Sequence, residues 1–291
     1  MSRIQKLALS FSLLTISTVG VSSPRVIYGE DDRRDLFDSH NDPKLIELAR
    51  STAILVRKSD LKPEAQQFRL PKDTFGVSQG LCESEPFFEQ PTPGFCSGFL
   101  VGDDLFVTAG HCITDAGMCA GVSMIFDYGY DQQGKDLSTV DADNVYYCKS
   151  IVSRAQESSN GKDYAVVKLD RPVVGREPLK IRRDGTISKG DPVTVIGHPS
   201  GLPTKITSGA KVRANDSNLP YFVANLDTYG GNSGSAVFNT STGEVEGILV
   251  RGETDFVDRN GCMVSKKCTE GACRGEDVTK ADVYAQFVPA R

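Results

Sequence analysis

From Cys96 onward the chain alternates between short apolar runs and polar or glycine-rich breaks. Phe99-Leu100-Val101 gives way to Gly102-Asp103-Asp104, and Leu105-Phe106-Val107-Thr108 follows directly. The theme repeats at residues 122–126, 145–152, 165–169, 193–196, 221–224, 236–238 and 245–250. These runs are too short for buried helices and are rich in valine, isoleucine, phenylalanine and tyrosine, which pack well on a pleated surface. Their spacing, with no long amphipathic helical run between them, predicts an all-β sandwich or barrel. Residues 176–189, carrying Pro178 and Gly185, read as a connection between two halves. Ahead of Cys96 the pattern is looser. Residues 43–49 predict a short helix and 52–56 a strand, while 58–83 show no clear period. At the far end, 280–287 has a weak helical pattern.

The N-terminus bears on destination rather than fold. Arg3 and Lys6 precede an uncharged, mostly apolar run over 7–21, and the small residues Gly20, Ser22 and Ser23 stand ahead of Pro24. That is the layout of a signal peptide over 1–23, too short and too dotted with Ser and Thr for a retained span. The protein is therefore expected to be secreted or periplasmic, with no membrane span after signal removal. Residues 24–50 read as a polar N-terminal arm or propeptide, and Glu30-Asp31-Asp32-Arg33-Arg34-Asp35 as a solvated run that would not build a core. Residues 51–291 are left for the main domain.

A chain of 291 residues can hold two modest cores or one large β domain. Its net charge of -5 offers no basic field for nucleic acid, and it lacks the glycine motifs that cradle phosphates. Eight cysteines in an exported chain point to disulfides. Cys96 and Cys112 lie at the two ends of a hairpin that returns to its start, and closing such a loop would stabilise by roughly 3 kcal/mol. Cys119 and Cys148 border neighbouring runs and could bridge them. Cys82, Cys262, Cys268 and Cys273 allow three pairings, with Cys82 expected to reach one of the late three. Their spacings do not fit a zinc site, and the acidic residues over 136–143 fix no coordination pattern, so neither a metal nor an organic cofactor is expected.

Three short segments carry chemistry. Gly230-Gly231-Asn232-Ser233-Gly234-Ser235 sets a serine among glycines directly before an apolar run, where backbone N–H groups can converge beside a nucleophile. Thr108-Ala109-Gly110-His111-Cys112 puts a histidine between small residues and a cysteine, which leaves room around the imidazole. Asp163, at the head of Tyr164-Ala165-Val166-Val167-Lys168-Leu169, is a carboxylate at the rim of a core, suited to orienting an imidazole. Each alone has an ordinary structural explanation; the three in the order His, Asp, Ser do not.

Together with Cys96-Ser97-Gly98-Phe99, these segments resemble the chymotrypsin-fold, trypsin-like serine endopeptidases, and within them the bacterial branch that includes the glutamyl endopeptidases. The order separates this group from α/β-hydrolases and subtilisins, which arrange the same three side chains differently along the chain. The resemblance covers roughly residues 75–288. It implies two six-stranded antiparallel β-barrels, about 75–175 and 186–288, with the active site in the cleft between them. It implies Ser233 as nucleophile, His111 as general base and then acid, Asp163 as its orienting partner, and an oxyanion hole from the N–H groups of Gly231 and Ser233. Substrates would be peptides or proteins, cut by a monomeric enzyme. Asn232 departs from the aspartate that trypsinogen-type activation needs. Thr228 matches a threonine of the glutamyl endopeptidases, but Leu249 stands where they place a histidine. Asp227, six before the serine, is where trypsins keep the pocket acid that favours Arg or Lys; the other reading of Asp227 is a structural loop residue bonded to nearby N–H groups. The competing class is a secreted binding protein that keeps the barrels without catalysis. His198 has no counterpart in the resemblance and reads as a turn residue.

Overall fold

The computed structural model describes residues 27–159, 161–252, 254–269 and 272–290; the expected signal peptide lies outside them. Twelve strands organise the chain. Six of them, Thr52–Arg57 (β1), Cys96–Leu100 (β2), Leu105–Thr108 (β3), Val122–Phe126 (β4), Val145–Gln156 (β5) and Asp163–Leu169 (β6), close into an antiparallel barrel in the order β1-β2-β3-β6-β5-β4. The other six are Pro192–Gly197 (β7), Lys205–Ala214 (β8), Tyr221–Ala224 (β9), Ala236–Asn239 (β10), Val245–Arg251 (β11) and Glu276–Lys280 (β12). They close in the same relative order, β7-β8-β9-β12-β11-β10, the circuit being completed by the pairing of β7 with β8. Closure removes the unpaired edges that an open sheet would expose.

Apolar residues fill and join the barrels. Phe99, Phe106 and Phe126 share one continuous core with Ile196, Phe238 and Ile248, so the junction between the two units is itself apolar. Val195, Val212, Phe222, Leu249 and Val278 pack the second interior. Each fully buried side chain of this size contributes on the order of 2 kcal/mol.

Several expectations need correction. The first barrel begins with β1, well ahead of residue 75, because Thr52–Arg57 is the strand that joins β2 to β4. Strands β8 and β12 carry no continuous apolar run, and tertiary pairing sets them instead. The final segment forms two 3₁₀ turns, Ala281–Val283 and Ala285–Phe287, rather than an α-helix.

The largest revision is the arm, which is packed rather than solvated. Ile27–Tyr28 pairs in parallel with Lys267–Cys268, and Arg33–Arg34 adds to the outside of β8. Ile27 is fully buried beside Phe75, Leu202 and Tyr229. The guanidinium of Arg33 lies 3.9 Å over the Tyr229 ring and pairs with Asp31 at 2.6 Å, which compensates its burial. Behind it, the buried ammonium of Lys205 pairs with Asp35. Four disulfides join Cys96 to Cys112, Cys119 to Cys148, Cys82 to Cys262 and Cys268 to Cys273.

Candidate active site

Backbone register places His111 and Asp163 together. Strand β6 pairs Ala165 with Thr108 of β3; two residues further along, Asp163 comes opposite Gly110, the neighbour of His111. A side chain at Gly110 is excluded, since its Cβ would stand 2.0 Å from the Ala155 carbonyl oxygen. Asp163 Oδ1 accepts from the His111 backbone N–H at 3.1 Å, and Oδ2 faces the ring Nδ1 at 2.8 Å. With a carboxylate at Nδ1, the neutral ring carries its proton there and leaves Nε2 as the basic nitrogen. Asp163 is only 4% exposed, whereas the His111 side chain keeps 31% of its surface. The second barrel also supports Asp163: the Thr279 hydroxyl donates to its carbonyl at 3.0 Å.

Ser233 belongs to the loop between β9 and β10, and the first barrel holds that loop by its backbone. The Ser97 N–H donates to the Ser233 carbonyl at 2.8 Å. The Ser97 hydroxyl donates to the Gly231 carbonyl at 3.2 Å and accepts from the His198 N–H at 2.9 Å. Cys112, next in the chain to His111, has its sulfur 3.6 Å from the Ser233 carbonyl oxygen. The serine loop is thus seated against the end of the histidine strand. Inside the loop, the Ser235 hydroxyl donates to the buried Asn232 amide oxygen at 3.0 Å, and Gly234 N–H donates to the Leu249 carbonyl at 2.7 Å.

Gly231 has φ 84°, and a Cβ there would meet the Ser200 backbone at 2.9 Å. The Ser200 N–H donates to the Gly230 carbonyl. In a trans peptide C=O and N–H point opposite ways, so the Gly231 N–H is turned away from Ser200. Ser200 itself sits in the left-handed region at φ 51°, a conformation that costs a non-glycine residue roughly 1 kcal/mol.

Of the two readings of Asp227, its contacts match the structural one. Its carboxylate accepts from the N–H of Tyr28 at 2.7 Å and of Asp32 at 3.1 Å, so it anchors the arm. Burial pushes its carboxyl up to about 7, against the two N–H bonds, which lower it. The acid that touches Thr228 is instead Glu276, fully buried on β12, whose Oε2 accepts from the Thr228 hydroxyl at 3.1 Å. Leu249 is buried in the second barrel's interior. His198 is buried too; its Nδ1 faces the Leu202 carbonyl at 3.0 Å, and desolvation lowers its pKa to about 3.

Beside His111 lies a cleft of about 790 Å³ walled by Glu157, Lys162, Tyr221, Val250 and Arg251 among others. Ser97, Glu276 and Arg251 are the residues that local sequence does not reveal. Ser97 stands in a motif that already drew notice, yet nothing in its neighbours signals a contact 134 residues away.

Residues 96–248 match the family described as the trypsin-like peptidase domain. Among curated proteins, the chain is 30% identical over 159 residues to the glutamyl endopeptidase of Bacillus licheniformis, covering 51% of this chain and 46% of that protein. The chain thus spans about half the length of this curated relative. Among solved structures, a Glu endopeptidase in complex with MPD aligns at TM-score 0.51 and 18% identity, over 90% of this chain and 98% of its own. Human heparin binding protein aligns at TM-score 0.51 and 12% identity, over 90% and 94%. At such identities the two structures bear on the fold alone.

Proposed function

The chain belongs to the trypsin-like peptidase domain family, and from that premise we propose that it is a serine endopeptidase with Ser233 as nucleophile. The observation that carries this reading is the 2.8 Å contact of His111 Nδ1 with buried Asp163, at the place where Ser97 and Cys112 seat the Ser233 loop. In the reaction, Ser233 Oγ attacks the peptide carbonyl while His111 Nε2 takes the hydroxyl proton. The imidazolium gains stability from Asp163 and returns that proton to the leaving amine. The Gly231 and Ser233 N–H groups receive the oxyanion, and water then hydrolyses the acyl-enzyme by the same steps.

A fluorophosphonate probe tests this. Labelling of the folded mature protein that vanishes in Ser233→Ala supports the assignment. Absence of labelling would overturn it in favour of a binding protein with the same barrels. Against a peptide substrate, Ser233→Ala should lower kcat on the order of 10⁶-fold, the magnitude known for subtilisin's serine.

For specificity we propose a basic residue before the cut, with Glu276 rather than Asp227 supplying the charge. Glu276 touches Thr228, five residues before the nucleophile, and a buried carboxylate there disfavours an acidic side chain. The curated relative is named for glutamate, so the alternative is concrete. Peptides differing only in Arg, Lys, Glu or Leu before the cut decide between them. Preferred cleavage after Glu, or an Arg preference untouched by Glu276→Gln, would reject the proposal.

Secretion or residence in a periplasm is proposed from the signal-like residues 1–23 and supported by four disulfides. Among the described residues no helix is long and apolar enough to cross a membrane. Residues 51–291 are taken as the protease domain, with 27–50 as an arm fastened to it.

A further inference from the structure

The carboxylate oxygen that faces His111 Nδ1 also faces a cation from the other barrel. Asp163 Oδ2 lies 2.8 Å from the imidazole and 3.9 Å from the guanidinium of Arg251, the last residue of β11. That guanidinium is fixed on the remaining sides. Its Nε donates to Asp277 Oδ2 at 3.2 Å, another nitrogen donates to the Gly161 carbonyl at 3.0 Å, and the Tyr221 ring centroid lies 5.4 Å away. Arg251 also lines the cleft next to His111 and keeps 40% of its side-chain surface. Arg251 and Asp277 are cross-strand partners in the register of β11 and β12, so the position of the cation is set by the barrel itself.

We propose that Arg251 is a positioning residue that acts through Asp163, its guanidinium holding the carboxylate oxygen that faces His111 Nδ1 and repelling a second positive charge beyond it. This inference rests on the reading of Ser233, His111 and Asp163 as the catalytic set. The physics is that of three charges in a row. An arginine remains cationic at every working pH, so it stabilises the carboxylate and penalises the imidazolium one contact further on. A neutral residue at 251 would remove that repulsion while leaving the His111–Asp163 contact in place. Other charges face the same pair: Arg154, which donates to the Gly110 carbonyl, and Glu157, Lys162 and Asp277 around the cleft. Besides His111 itself, Arg251 is the residue within 4.0 Å of Asp163 among the ion pairs of the described residues.

The purely mechanical alternative is that Arg251 ties β11 to β12 and to the loop at Gly161. The pH profile separates the two. The rate of fluorophosphonate labelling is measured from pH 5 to 9 for the wild type, Arg251→Gln, Arg251→Met and Arg251→Lys; two neutral variants are made so that one folded protein suffices. In the neutral variants the acid limb should move up by about half a pH unit, a figure reduced from the bare Coulomb value because the guanidinium is partly exposed. Arg251→Lys should keep the wild-type limb while labelling more slowly throughout. Limbs that coincide in all four proteins would overturn the proposal, as would a limb that moves as far in Arg251→Lys as in Arg251→Gln. Failure of the wild type to label at all would instead reject the catalytic set, so the two failures are distinguishable.

Discussion

Replacing Asp227 with asparagine removes one ionisable group from beneath the N-terminal arm and should flatten part of the stability–pH curve. The carboxyl of Asp227 is raised from 3.8 to about 7 in the folded protein, chiefly by burial. Between those values the native state holds a proton that the unfolded chain has released. Stability therefore increases as pH falls from about 7 towards 4, and the penalty for ionisation is fully present above 7. Roughly three units at 1.36 kcal/mol each give a ceiling of about 4 kcal/mol. The substituted amide cannot ionise, and it must turn one N–H towards Tyr28 or Asp32, which adds an offset that does not depend on pH. The measurement is chemical denaturation of the disulfide-intact protein from pH 4.5 to 8, in a Ser233→Ala background to prevent self-digestion. The stability difference between the Asp227→Asn variant and its parent should change by about 1–4 kcal/mol across that window, with the parent gaining on the acid side. Lowered carboxylates such as Asp31 act in the opposite direction but are common to both proteins and cancel. Parallel curves would refute the reasoning.

Ser97→Ala leaves the buried His198 N–H without its side-chain acceptor and the Gly231 carbonyl without a donor, so it should cost about 1–3 kcal/mol in denaturation. It should also lower kcat more than it raises KM, because the loop it supports carries the proposed oxyanion donors. Gly110→Ala forces backbone apart at Ala155 and should destabilise by about 2 kcal/mol or more while weakening labelling, since the same backbone sets the His111–Asp163 contact. Removing the Cys82–Cys262 bridge, with a sequence separation of 180, should cost up to about 5 kcal/mol in the chain-entropy model; losing Cys268–Cys273, with a separation of 5, should cost about 2. Denaturation midpoints of the double-serine variants compare them directly.

The strands that sequence patterning reveals are those whose buried positions are apolar. Strand β12 shows why others stay hidden. Its residues Glu276, Asp277, Thr279 and Lys280 are polar yet buried, and each is satisfied from elsewhere: Thr228 for Glu276, Arg251 for Asp277, the Asp163 carbonyl for Thr279, the Asp216 and Leu219 carbonyls for Lys280. No local window contains those partners. The arm misleads in the same way, because a run of Asp and Arg reads as solvated until Tyr229 and Asp227 are placed beneath it. His111, Asp163 and the serine loop were legible because their spacing and order are specific. The role of Asp227 stayed between two readings, since distance to the serine says nothing about which N–H groups reach its carboxylate. Cys96–Cys112 and Cys119–Cys148 followed from strand proximity; the other two bonds depend on how the segment at Cys82 crosses to the late hairpin.

The first described residues of the chain end up on the last-made barrel. Ile27 finds its partner at Lys267, about 240 residues later. A polypeptide that emerges N-terminus first, from a ribosome at roughly 5–20 residues per second, exposes Ile27 for some tens of seconds before its seat exists. In the later part of that interval, once Leu169 has emerged, the first barrel can already be complete, whereas the bed for the arm, including Asp227, Tyr229 and the Cys268 strand, is still being delivered. Maturation of this protein is consequently gated by its C-terminal third, and a chain stopped short of Lys267 would be left with a sticky, unplaced leading end.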